Sequence, residues 1–118
     1  MKLDEFIRCV VGGYGEAKAR FQNDERIVRF LNMFPGDDSM QNLTNAMNTG
    51  DTTTAFRAVH TLKGVALNLG LGSIAHASSQ MTEALRGQDK LPESVQPLYE
   101  AVQKERTAVC SALEQLEK

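Results

Sequence analysis

The chain has 118 residues, enough for one domain with a single hydrophobic core. Its formal net charge is only −2 and both signs are interspersed, so bulk electrostatic binding to nucleic acid is not expected. Acidic residues follow Met1 where a signal peptide would be apolar, and no stretch approaches the ~20 apolar residues of a membrane span. We therefore expect a cytoplasmic protein that binds neither nucleic acid nor membranes.

Apolar residues recur at helical spacing along almost the whole chain, and no segment alternates with the period of two that is typical of a strand. Glycine and proline turns divide this pattern into six predicted helices, near residues 3–11, 14–34, 40–48, 52–69, 73–86 and 92–117. We expect an all-α fold in which the four longest form an antiparallel up-and-down four-helix bundle, with additional short helices. Residues 1–118 are expected to be one domain.

The starts of the predicted helices rest on residues that commonly cap a helix N-terminus. Side-chain oxygens at Ser39, at Asp51 or Thr52, and at Ser73 could accept hydrogen bonds from the first backbone N–H groups. Pro92 suits the first turn of the last helix, because that position needs no backbone donor. These residues predict where each helix begins.

One histidine has an unusual setting on the predicted helix 52–69. His60 is followed by Lys63 and Gly64, three and four residues later, which places all three on one helix face. Helical side chains lean toward the N-terminus, so Lys63 brings a positive charge over His60 and Gly64 leaves open space there. A glycine inside a helix costs roughly 1 kcal/mol. The pattern predicts a nucleophilic histidine that a large partner can approach.

These residues, with Gly70 ten positions after His60, form an H-x-x-K-G segment that resembles histidine-containing phosphotransfer (HPt) domains. Specific matches on both sides extend the resemblance over about residues 14–87, whereas the first dozen residues and the last helix match only as amphipathic helices. It implies a phosphorelay carrier in which His60 accepts a phosphoryl group from the aspartate of one receiver domain and passes it to another receiver. The receivers would belong to response regulators or hybrid sensor kinases.

The resemblance further implies a carrier and not a turnover enzyme. The sequence has no nucleotide-binding loop and no acidic cluster around His60, so we expect no ATP site and no cofactor of its own. The Mg²⁺ ion would be held by the partner receiver domain. We also expect a monomer, and Met1 together with a full final helix favours a free-standing protein.

The turn around Leu71 predicts that the two central helices fold back on each other, with Thr82 level with His60 and Arg86 near the level of Arg57. A hydroxyl at this level could accept a hydrogen bond from the ring nitrogen of His60 that does not react. Equally, the Thr82 hydroxyl could bond a carbonyl of its own helix. Four residues are assigned supporting roles on this basis: Thr82, Ser79, Arg57 and Arg86.

Two other functions fit parts of the sequence. A non-catalytic helical adaptor would bind receivers without carrying phosphate, although the intact motif at His60 argues against it. A zinc-binding bundle would use His60 and His76, but neither has a carboxylate or thiol at ligand spacing. Cys9 and Cys110 also lack metal-type spacing, and we expect reduced thiols, with a disulfide between them as the minor alternative.

Overall fold

The computed structural model describes residue 29 and residues 31–114, and this part of the chain is helical with no strand. Residues 31–33 are helical and lead into a 3₁₀ turn at Phe34–Gly36. Four α-helices follow: α1 (Ser39–Thr49), α2 (Thr52–Leu69), α3 (Gly72–Leu85) and α4 (Val95–Glu114). The expected all-α bundle is confirmed. The predicted helix 3–11 lies outside the described residues. So does the predicted helix 14–34, except for residue 29 and residues 31–34.

Each end of α2 is fixed by a defined cap, and both bounds agree with the predicted helix 52–69. At the start, the Asp51 carboxylate accepts hydrogen bonds from the backbone N–H of Thr54 at 3.1 Å and from its hydroxyl at 2.6 Å. At the end, Gly70 adopts a left-handed φ of 72°, and the N–H of Leu71 donates to the carbonyl of Ala66 at 2.8 Å. This is a Schellman motif, which requires a residue that tolerates positive φ.

Three predicted helix starts differ from the observed ones: 40 and 73 are each one residue late, and 92 is three residues early. Ser39 is the first residue of α1 rather than its cap, and its backbone N–H donates to the Asp37 carboxylate at 2.9 Å. Ser73 is the second residue of α3, because the helix begins directly after the tight turn. Pro92 lies in a turn before α4, where its carbonyl accepts from the N–H of Val95 at 3.0 Å.

The core lies between consecutive helices, since α1 packs on α2, α2 on α3, and α3 on α4. On α2, Val59, Leu62 and Ala66 are buried as predicted, so this helix turns one face inward and leaves the His60 face exposed. Between α4 and α1, the Tyr99 hydroxyl donates to the Thr44 hydroxyl at 2.9 Å. The helix that carries His60 is therefore packed against both α1 and α3.

Two expectations from composition can be compared with this fold. Cys110 is a free, half-buried thiol whose pKa is raised chiefly by burial, whereas Cys9 lies outside the described residues. Within the described part of the chain, every helix is too short or too polar to cross a membrane.

Candidate functional site

The candidate nucleophile, His60, is exposed on the surface of α2. Its ring packs against the ring of Phe56, one helical turn earlier, with centroids 6.1 Å apart and the planes tilted by 30°. No group among residues 31–114 hydrogen bonds to the ring nitrogens. One side of the imidazole is thus supported by an aromatic neighbour, and the rest of the ring is open to a reactant.

The next turn of α2 has the features that the spacing predicts. Lys63 and Gly64 are both half-buried. A Cβ atom built on Gly64 would meet no atom within 4 Å, so the packing does not require a glycine there. The missing side chain leaves open space beside His60, in agreement with the sequence prediction.

Two charged residues at the end of α3, Glu83 and the C-cap residue Arg86, lie next to the Phe56 ring or to each other. The Arg86 guanidinium lies over the Phe56 ring, 5.4 Å from its centroid. It also makes a two-pronged ion pair with Glu83, with Nε to Oε2 at 3.1 Å and Nη2 to Oε1 at 3.2 Å. The contact of Arg86 with Phe56 confirms that α3 folds back on α2 in the expected register.

The charges in this cluster act on one another. The hydrogen bonds and charge of Arg86 hold the pKa of the Glu83 carboxyl below its ordinary value, and Lys63 adds to this effect. In return, Glu83 raises the pKa of Arg86. Arg86 and Glu83 are therefore linked to His60 through the Phe56 ring, and Lys63 lies on the next turn of the same helix.

The other predicted residues do not join this cluster by any described contact. Thr82 is buried, and its hydroxyl donates to the Ser78 carbonyl at 2.7 Å, which is the helix-internal alternative. Ser79 is half-buried. Arg57 is exposed and lines a groove of about 400 Å³ between α1 and α2, where its charge acts on Asp51.

The family model of the Hpt domain matches residues 36–118 of the chain. The chain belongs to the Hpt domain family. Hpt domains are phosphocarriers with a histidine phosphotransfer role in phosphorelays, where they interact with receiver domains. Comparisons with curated proteins and with solved structures found no match. The family predicted from the H-x-x-K-G segment is thereby confirmed.

Sequence reasoning about this Hpt domain missed two residues near His60. Neither Phe56 nor Glu83 is among the predicted site residues, yet Phe56 contacts the His60 ring and Glu83 binds Arg86. Helical spacing could have shown both contacts, because residues three or four apart are neighbours on a helix. The exposed His76 on α3 shares no metal site with His60, since no three metal-binding side chains cluster in the described ranges.

Proposed function

We propose that His60 carries a phosphoryl group between two receiver domains. One ring nitrogen attacks the phosphorus of a receiver's aspartyl phosphate, an N–P bond forms, and the P–O bond to the aspartate breaks. The electron pair of that bond leaves with the aspartate carboxylate, and the other ring nitrogen keeps its proton. Attack by a second receiver's aspartate reverses these steps, so the chain relays the group without net turnover.

The observation that carries the proposal is the exposed His60 ring, with Lys63 on the next turn of α2 and Arg86 stacked on the adjoining Phe56 ring. In phosphoryl transfer, negative charge spreads over three oxygens while donor, phosphorus and acceptor stay in line. The Lys63 ammonium would neutralise part of this charge as a point charge, and the planar Arg86 guanidinium could donate paired hydrogen bonds to two phosphoryl oxygens. The open space at Gly64 would admit the receiver backbone and its aspartate.

The donor in this proposal is a protein and not a nucleotide. The sequence contains no nucleotide-binding loop, and the receiver would bring its own Mg²⁺ ion to the shared site. Receivers of response regulators or hybrid kinases are therefore the expected partners of residues 1–118, acting here as one domain and as a monomer.

The test is incubation with a panel of ³²P-labelled receiver domains. We expect label on the chain that is stable in base and labile in acid, as an N–P bond requires, and we expect His60→Gln to abolish it. The matched control is His76→Gln, because the chain has only these two histidines and His76 is also exposed. Far-ultraviolet circular dichroism should show unchanged helicity in both variants.

Two outcomes would overturn the proposal. Label that persists in His60→Gln, or that survives acid, would place the phosphoryl group on another residue. Binding to receivers without any label would instead identify the chain as an adaptor.

A further inference from the structure

The exposed carboxylate of Glu83 is paired with Arg86, the arginine that stacks on Phe56. Its carboxylate accepts two hydrogen bonds from Arg86, at 3.1 and 3.2 Å. After Arg86, the charge of Lys63 on α2 also lowers the pKa of this carboxyl. Lys63 lies one turn after His60 on α2, and Arg86 stacks on the Phe56 ring, which in turn contacts the His60 ring. Arg86, one of the two cations that would meet a phosphoryl group on His60, is therefore already bound by a carboxylate.

A carboxylate and a phosphoryl group require the same partners. Both accept paired hydrogen bonds from the guanidinium fork, and the phosphoryl group carries more charge and a third oxygen. A carboxylate that interacts more favourably with the unphosphorylated site than with the phosphorylated site stabilises the unphosphorylated form relative to the phosphorylated form. Two anions close together also repel each other.

We propose that Glu83 is a resident counter-ion that occupies Arg86 while His60 is free, and that the phosphoryl group must displace it. Glu83 is thus a positioning residue that shortens the lifetime of the phosphorylated state and favours onward transfer. This inference rests on the proposed function of His60.

Contribution to folding is the competing explanation for the ion pair, and exposure argues against it. The Arg86 and Glu83 side chains are 57% and 62% exposed, and ion pairs this exposed contribute little to stability. Replacing Glu83 should consequently leave the fold intact while changing the behaviour of the phosphoryl group. The two effects can be measured separately.

The experiment compares Glu83→Gln with the wild-type chain after phosphorylation by phosphoramidate, a small donor that needs no receiver. Glutamine keeps the size and one hydrogen-bond acceptor but removes the charge. The matched control is Glu100→Gln, an exposed glutamate on α4 that also makes a side-chain hydrogen bond, to Gln96. The half-life of the phosphohistidine is followed by ³¹P NMR.

We expect Glu83→Gln to lengthen the half-life by about two- to fivefold, with an unchanged melting temperature, and Glu100→Gln to leave both unchanged. The effect should shrink in high salt, because salt screens exposed charges. It should also shrink in an Arg86→Gln background, since the two residues act as one unit.

The outcomes separate this inference from the function on which it rests. An equal or shorter half-life in Glu83→Gln, or an equal lengthening in Glu100→Gln, would overturn the counter-ion role while leaving His60 as the carrier. If no phosphohistidine forms at His60 in any variant, the carrier function fails, and the counter-ion role fails with it.

Discussion

At the scale of single residues, Arg86 and Lys63 differ in whether a carboxylate already binds them. Arg86 is already bound to Glu83, whereas Lys63 forms no salt bridge with any described residue. A lysine ammonium acts as a flexible point charge, and it can follow the phosphoryl oxygens as the group moves between donor and acceptor. Lys63 is therefore the cation that can respond first when a phosphoryl group arrives.

We predict that Lys63→Ala slows phosphoryl transfer or shortens the phosphohistidine half-life, by roughly tenfold if one charge-assisted hydrogen bond is lost. Receiver binding should change less, because an exposed cation at a rim contributes little affinity. Transfer kinetics and a binding isotherm measure the two effects. Lys104→Ala, which removes an exposed lysine from α4, is the control, and equal effects in both variants would show that Lys63 has no special role.

Gly64 gives a second prediction at this scale. A leucine at position 64 would lean back over His60, so Gly64→Leu should block the approach of a receiver. Gly64→Ala, with one methyl group, should keep partial transfer. Transfer assays beside thermal melts check this prediction, and normal transfer by a folded Gly64→Leu variant would show that the partner docks elsewhere.

At the scale of one element, two glycines of the α2 region should respond to the same substitution with opposite signs. Gly64 lies inside the helix with open space around it, so Gly64→Ala should stabilise the fold by up to roughly 1 kcal/mol. Gly70 has φ of 72°, so Gly70→Ala should destabilise it by roughly 1 to 2 kcal/mol. Urea unfolding measures both changes, and two changes of the same sign would contradict this assignment.

The start of α2 gives a prediction about pH. Hydrogen bonds from the Thr54 hydroxyl and then from its backbone N–H lower the pKa of Asp51 in the folded state. A lowered pKa means that the ionised cap stabilises the fold at neutral pH and loses this effect as the pH falls through that pKa. Asp51→Ala should therefore lower the urea midpoint at neutral pH, and the difference from wild type should shrink in acid. A difference that stays constant with pH would exclude the charged cap.

At the scale of the whole molecule, the sequence predicted the class of fold better than its details. The bounds of α2 were correct because Asp51 and Gly70 mark them chemically. The start of α4 was wrong, since Pro92 satisfies the rules of a turn and of a first helical turn alike. His60, Lys63 and Gly64 could be placed on one face from spacing alone. The stacking of Arg86 over Phe56 could not, because it depends on side-chain rotamers across two helices.

The contact between α4 and α1 gives a prediction about the bundle. Tyr99→Phe removes the hydrogen bond to Thr44 and should cost about 1 kcal/mol of unfolding free energy. Phosphorylation of His60 should be unaffected, because the cluster around it lies on α2 and α3. Thr44→Val should cost a similar amount, and the double variant should cost less than the sum. Additive losses in urea unfolding would show that the two hydroxyls are not coupled.

The exposure of His60 also bears on how long a phosphoryl group on its ring would last. No described residue covers the ring, so a phosphoryl group placed there would face water as well as partners. Specific protein pairs associate at roughly 10⁵ to 10⁷ M⁻¹ s⁻¹, so a receiver at about 1 μM arrives within roughly 0.1 to 10 s. A phosphohistidine at this position needs only a lifetime longer than that interval. If His60 is the carrier, spontaneous hydrolysis would remove any phosphoryl group that no receiver has taken within that time.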